Sequence, residues 1–325
     1  MDWSLIPQFL SARAVPSKPV DAEVCSPQHL KARQLVIGLG AMKSGTTWLS
    51  DYLASHPDFF HSPIKEMRVF SDLFRQNDSY PNYVYEPWED YRLYRMEKIV
   101  LGFEDPRLRA LKSRVNRKVF DERWAQRFDR LRALAQLSRI QTTSDYLSYF
   151  AERIGSQAHF GEISPAYSHL SPEAYGVMAA ITEDVRFLFL MRDPADRAAS
   201  HLRHVRRRTE KDVGLDVLLS RVDQTSDIYI RSDYGYTLNL LRSLGLEQRT
   251  KVLIYENLFS QATLDELCDW LGLARHEAVF DRRLNPGVGE SLNEAQLGLL
   301  RHRLTPIYEQ LRDDPATQAA SSWRW

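Results

Sequence analysis

The sequence predicts an α/β fold of the phosphate-loop type: three layers, with a central, mostly parallel sheet flanked by helices. Two observations carry that expectation. Short apolar, β-branched and aromatic runs alternate along the chain with stretches of helical periodicity, the pattern of strands buried on both faces. The first such run, Gln34–Gly40, opens directly into a Gly-rich turn and a helix, which aims backbone N–H groups at one point at the positive end of a helix dipole.

The elements follow in order. QLVIGLG (34–40) reads as a buried strand, Thr46–Ser55 as a helix closed by His56-Pro57, and Phe59-Phe60-His61 as a short second strand. AHFGEI (158–163), VRFLFLM (185–191) and KVLIYE (251–256) are the remaining strands. Helical patterns lie near 172–182, 194–208, 231–243 and 262–271, with a packing helix over 292–311. Residues 1–33, containing Pro and Ser and only weakly periodic, read as a loosely attached arm before one domain spanning 34–325. The stretch 77–156 breaks the strand–helix rhythm: it opens Tyr-rich, continues as a basic helical pattern, and reads as a helical insertion.

Composition narrows the function classes. A chain of 325 residues, 43% hydrophobic and 26% charged, can bury a full core. Its formal net charge is +0, so no global field argues for nucleic acid or an anionic membrane as partner. The charge is uneven, however. Arg107–Ile140 carries eleven Lys/Arg against three acids, and Arg206, Arg207 and Arg208 stand in a row. The insertion is a solvated helical face or a recognition element for acidic acceptors. Two cysteines, Cys25 and Cys268, supply neither a disulfide framework nor a Cys-based zinc site. With no leader pattern and no run of about 18 apolar residues, the expected location is the cytoplasm.

The loop GLGAMKSGTTWL (38–49) fits neither common glycine-loop pattern. Counted from Gly40, the ATP-loop spacing puts Thr46 where a lysine belongs, and the dinucleotide spacing meets Lys43 instead of glycine. Lys43, Ser44, Thr46 and Thr47 still concentrate one cation and three hydroxyls around a turn suited to a phosphate or sulfate. A displaced lysine addresses a different part of a nucleotide than the ATP-loop lysine does. Asp193, at the end of a strand, is placed where a magnesium-holding acid would be. With Pro194 after it, Asp193 reads better as a helix N-cap followed by proline at the first helical position. Arg192, Arg197 and Ser200 form a second anion-binding candidate at that strand end, where ligands gather in open α/β sheets.

Together, KSGTTW after the first strand and R-D-P-x-x-R-x-x-S after a later one resemble the sulfotransferases that use 3′-phosphoadenosine 5′-phosphosulfate (PAPS). The resemblance spans about 34 to 312 and includes Ile254-Tyr255-Glu256-Asn257-Leu258. It implies Lys43, Ser44, Gly45, Thr46 and Thr47 around the 5′-phosphate, Trp48 near the adenine, and Arg192 and Ser200 on the 3′-phosphate. Tyr255 is a weaker adenine candidate, and Arg282 and Arg283 are candidates in a loop over the cofactor. GEISPAY (161–167) is similar to a motif of the carbohydrate (heparan-sulfate-type) and bacterial branch, with Ile163 in place of a lysine, and lacks the histidine of the cytosolic small-molecule branch. In the context IKEMRVF (64–70), Glu66 becomes the catalytic base, with His61 and His201 in reserve.

The implied reaction moves a sulfuryl group from PAPS to an acceptor hydroxyl, on a carbohydrate or glycolipid, with Lys43 and Glu66 catalytic and no metal required. The competing readings are a magnesium-dependent small-molecule kinase on the same fold and a non-catalytic nucleotide-binding scaffold. Acceptor identity and oligomeric state stay open at this level.

Overall fold

The computed structural model describes residues 27–74, 129–280 and 291–325, apart from Thr209 and Lys211. Arg282, Arg283 and most of the basic insertion lie outside the described residues. The chain divides into two compact units, one of residues 33–85 and 156–325, the other of residues 1–32 and 86–155.

The larger unit is built on five strands: β1 (Gln34–Gly40), β2 (Phe59–His61), β3 (His159–Ile163), β4 (Asp184–Met191) and β5 (Thr250–Ile254). Their order is β2-β3-β1-β4-β5, and every described pairing is parallel. β4 is apolar from Phe187 to Met191, all inaccessible to solvent, because both faces are covered there; Asp184 and Arg186 pair at its partly exposed start. The chain runs to one side of β1 for β2 and β3, then crosses to the other for β4 and β5. That reversal makes the carboxyl end of β1 the switch point of the sheet, where such folds open a crevice.

Close approach of β1 and β3 depends on absent side chains. A Cβ on Gly161 would fall 1.9 Å from the Val36 carbonyl oxygen, and one on Gly38 would fall 2.6 Å from the Ile163 side chain. The residue at the lysine position of the resembling motif, Ile163, is thus a core residue packed on β1, 1% exposed.

The helices of this unit begin with α1 (Thr46–Ser55), which packs Leu49 and Leu53 against the sheet in a core shared with Val36, Leu188 and Leu253. A short α2 (Val69–Leu73) follows β2. After β3 a 3₁₀ turn (Pro165–His169) leads to α3 (Pro172–Ala179), capped by the Ser171 hydroxyl. Such a cap contributes about 1 kcal/mol. Then come α4 (Pro194–Arg208), α5 (Leu215–Ser220), α6 (Asp227–Ile230), α7 (Tyr234–Ser243) and α8 (Gln261–Leu271). The expected helix over 292–311 is two, α9 (Glu294–Arg303) and α10 (Thr305–Leu311), divided at Leu304 with a proline in the first turn of the second. The strand expected to reach 256 ends at Ile254, because Tyr255–Asn257 turns into a 3₁₀ segment.

In the smaller unit three described stretches are helical: Pro27–Lys31, 129–137 and Thr143–Ala151. The last carries a reciprocal capping box between Thr142 and Asp145. Part of the stretch expected to be a loose arm is therefore a short helix that buries Leu30. Among the described residues no helix is long and apolar enough to cross a membrane.

Candidate active site

Lys43 sits in the turn between β1 and α1 with left-handed backbone, φ 71°. Gly45 follows at φ 87°, and a Cβ there would also meet the Tyr255 ring at 2.8 Å, so glycine is required on both counts. Two arginines of the second motif hold the loop from behind. Arg197, with no exposed surface, donates to the Met42 carbonyl (3.4 Å), the Ile228 carbonyl (2.5 Å) and the Ser232 hydroxyl (2.9 Å). Arg192 reaches the Lys43 carbonyl at 3.5 Å and stacks its guanidinium over Tyr255, 4.4 Å from the ring centre. With the Met42 carbonyl turned toward Arg197, the trans peptide points the Lys43 N–H the opposite way.

Burial pushes the Lys43 ammonium down to about 8, helped by the nearby charges of Arg207, Lys65 and Arg197, while Glu66 opposes the shift. Lys43 and Glu66 therefore face one another electrostatically in a partly desolvated pocket with a cationic surplus. Glu66, between β2 and α2, also has left-handed backbone, φ 55°. Its carboxylate lies 3.7 Å from the Lys65 ammonium, and Lys65 donates to the Thr47 hydroxyl. The Lys65–Glu66 pair is about one-quarter exposed, so it is not a solvated surface pair. Lys65 links the loop to the candidate base.

Ser44 and Thr46 are buried at the start of α1. The Ser44 hydroxyl lies beside the Tyr234 phenol without a well-formed bond to it. Trp48 is parallel to Tyr52 (ring centres 5.8 Å) and to Phe280 (5.8 Å), and meets Phe259 edge-on at 5.2 Å. It is a buried member of an aromatic stack whose exposed rim is Phe259 and Phe280.

At the end of β4, the Arg192 Nε is buried without a hydrogen-bond partner. Arg203, one face along α4, is held below its usual range by burial and by the charge of Arg192. Two cations kept together with an unused donor form a site suited to an anion. Ser200 is half-buried on the same helix. Asp193 caps α4 as expected: Oδ1 accepts from the Ala195 and Asp196 amides and from the Tyr308 hydroxyl, while Oδ2 accepts from the Arg324 amide. Both of its oxygens are thereby engaged.

The reserve bases are occupied elsewhere. His61 bonds the Ser50 hydroxyl and the Ser62 carbonyl, each at 2.8 Å, and burial holds it below its usual range. His201 is buried beside Asp227 (3.4 Å) and is held well below its usual range by burial and by Arg197.

Glu162 lies within GEISPAY without standing out there as a site residue. In the structure its carboxyl is fully buried at the end of β3, accepting from Ser164 Oγ (2.5 Å), Tyr167 Oη (2.6 Å) and the Met67 amide (3.3 Å). Burial raises it to about 7, with Glu66 contributing in the same direction. The available signal was a carboxylate inside an otherwise apolar strand, since Glu is rarely fully buried without partners.

A sequence model described as "Sulfotransferase family" matches residues 36–277. No curated protein sequence matches significantly. A sulfotransferase from Alicyclobacillus acidocaldarius superposes with a TM-score of 0.56 at 18% identity, over 90% of this chain and 98% of the other, which shows a shared fold. The sulfotransferase domain of the Synechococcus PCC 7002 olefin synthase aligns at a TM-score of 0.44 and 16% identity, over 87% and 96% of the two chains. STF9 from Mycobacterium avium aligns at 0.46 and 13%, over 89% and 79%. With the family's pattern running from β1 to beyond β5 on this fold, the chain belongs to the sulfotransferase family and is a PAPS-dependent enzyme.

Proposed function

We propose that the enzyme transfers the sulfuryl group of PAPS to a carbohydrate or glycolipid hydroxyl, with Glu66 as general base and Lys43 stabilising the departing bisphosphate. The observation that carries this reading is the pairing of a desolvated Lys43 with Glu66 at the switch point of the sheet. The residues suit the donor. The unused Arg192 Nε with Arg203 suits a 3′-phosphate; Lys43, Ser44, Thr46 and Thr47 suit a 5′-phosphosulfate; the Trp48 stack suits the purine. When bound, PAPS supplies the sulfuryl group and a bisphosphate leaving group.

In the reaction, the acceptor oxygen forms a bond to sulfur as the bond from sulfur to the bridging oxygen breaks. Glu66 takes the acceptor proton. Lys43 and the loop amides meet the charge that develops on the bridging oxygen, an electrostatic contribution made before reaction begins. Lys65 holds Thr47 and Glu66 in one arrangement. A sugar acceptor is favoured by the similarity of the GEISPAY stretch to the carbohydrate-branch motif; its Glu162, Ser164 and Tyr167 form a buried hydrogen-bonded cluster that serves the fold behind Glu66.

The kinase reading is disfavoured because the Asp193 carboxylate is consumed as a helix cap. Calorimetry with 3′,5′-bisphosphoadenosine against Mg-ATP, joined to a labelled-sulfate transfer screen over glycan, lipid and small-metabolite fractions, tests the proposal. Selective binding of the bisphosphate and labelling of a glycan or glycolipid fraction are expected. Preference for Mg-ATP would sink the donor assignment, and labelling confined to small metabolites would sink the acceptor class.

A further inference from the structure

The turn that carries Glu66 is strained and tied down. Glu66 and Arg68 have φ of 55° and 58°, conformations that side-chain-bearing residues hold only when their surroundings impose them. The ties come from β3. The Met67 amide, next in the chain after Glu66, donates to Glu162 Oε2 at 3.3 Å. The Arg68 amide donates to Ser164 Oγ at 3.0 Å, and that hydroxyl donates in turn to the same Glu162 oxygen at 2.5 Å. The other oxygen accepts from Tyr167 Oη at 2.6 Å, and the Tyr167 ring packs edge-on against Phe70 on α2, 5.4 Å between centres. One buried carboxylate thus gathers the two residues after Glu66 and the helix beyond them.

We propose that Glu162 is a positioning residue for the sulfuryl transfer: it fixes the left-handed turn that presents Glu66 to the acceptor hydroxyl. This rests on the reading of Glu66 as the base. Three donors converge on Glu162, so its ionised form is fully served while a protonated form leaves one donor displaced. Glu162 takes the Met67 amide directly and the Arg68 amide through the Ser164 hydroxyl.

The test uses the full chain with Glu162→Gln, Ser164→Ala, Glu66→Gln and the Glu66→Gln/Glu162→Gln double variant. Release of 3′,5′-bisphosphoadenosine from PAPS is followed with methyl glycosides or water as acceptor probe, and amide exchange is read at Met67 and Arg68. Glu162→Gln is expected to lower kcat about 10- to 100-fold, the scale of a misplacement near 1 Å, with bisphosphoadenosine affinity kept within about threefold. Ser164→Ala, which removes one tie and leaves the carboxylate, gives a smaller loss of the same kind. In the Glu66→Gln background the Glu162 substitution adds less than about threefold, because it acts through a group already disabled. Exchange at Met67 and Arg68 quickens while β4 stays protected. Wild-type kcat in Glu162→Gln, unchanged exchange at the two amides, or full additivity in the double variant each overturns the inference. Wild-type turnover in Glu66→Gln instead overturns the base assignment itself.

Discussion

Lys43 and Glu66 reach one site with the same unusual backbone, left-handed at φ 71° and 55°, from turns that follow different strands. The Lys43 carbonyl accepts from Arg192, and the residue after Glu66 is tied through its amide to Glu162 on β3. Strain fixed at two reacting groups is the mark of a preorganised site, and the first prediction follows from it. Glu66→Gln keeps the shape of the turn and removes the proton acceptor. Its kcat should fall about 100-fold or more while bisphosphoadenosine binding stays near normal. Unchanged turnover would remove Glu66 from the reaction.

Lys43 makes donor binding pH-dependent. In the free protein its ammonium loses its proton near pH 8, far below the ordinary lysine value, chiefly because it is buried. A bound bisphosphate favours the charged form, so binding above pH 8 takes up a proton and affinity weakens as pH rises through that value. Calorimetry from pH 7 to 9.5, in buffers of different ionisation enthalpy, should show both effects in the wild type and neither in Lys43→Met. A flat profile in the wild type would show that Lys43 does not face the ligand.

Arg192 should discriminate nucleotides by their 3′-phosphate. Its unpartnered Nε and its proximity to Arg203 predict that Arg192→Met weakens bisphosphoadenosine at least about tenfold, the scale of a lost charge-assisted bond. Adenosine 5′-phosphosulfate, which lacks that phosphate, should lose clearly less, only what a looser Lys43 turn costs. Equal losses for the two nucleotides would place Arg192 on another part of the donor.

Glu162 should cost stability at neutral pH. Its folded value near 7 lies above the unfolded value of 4.5, so the folded state holds the proton longer. Stability from this group is therefore greatest below pH 4.5 and declines as pH rises toward 7, by about 3 kcal/mol in total. Glu162→Gln removes the charge but serves only part of the three donors, so its stability should stay flat with pH while that of wild type falls between pH 5 and pH 8. Parallel curves at both pH values would contradict the assignment.

Gly38→Ala should lower stability by about 1–3 kcal/mol or more, because the new methyl meets the Ile163 side chain. Ile163→Ala removes the atoms it strikes, so the double variant should lose less than the sum of the single losses. Strict additivity in denaturant unfolding would show that the two positions do not press on one another.

Much of the fold was legible from local pattern. All five strands lie where the apolar runs put them, since a strand buried on both faces must be apolar almost throughout. The Asp193 cap was readable from Asp-Pro after a strand, and the loop from its glycines, hydroxyls and lysine. Errors came at ends. Tyr255 has a strand-like side chain but turns away, and the helix over 292–311 breaks at Leu304.

The sequence by itself determined the sheet, the phosphate-type loop and the residue types of both anion sites, because these depend on side-chain period and on neighbours within a few positions. Only the tertiary structure decided which charges meet. It brings Arg197 under the loop as a strut, turns Lys65 to join Thr47 to Glu66, stacks Trp48 with Phe280, and sets Glu162 behind the candidate base. Those pairings join residues far apart in the chain. Their effects, desolvation and Coulomb interaction, depend on distance and burial in space, which spacing along a sequence does not specify.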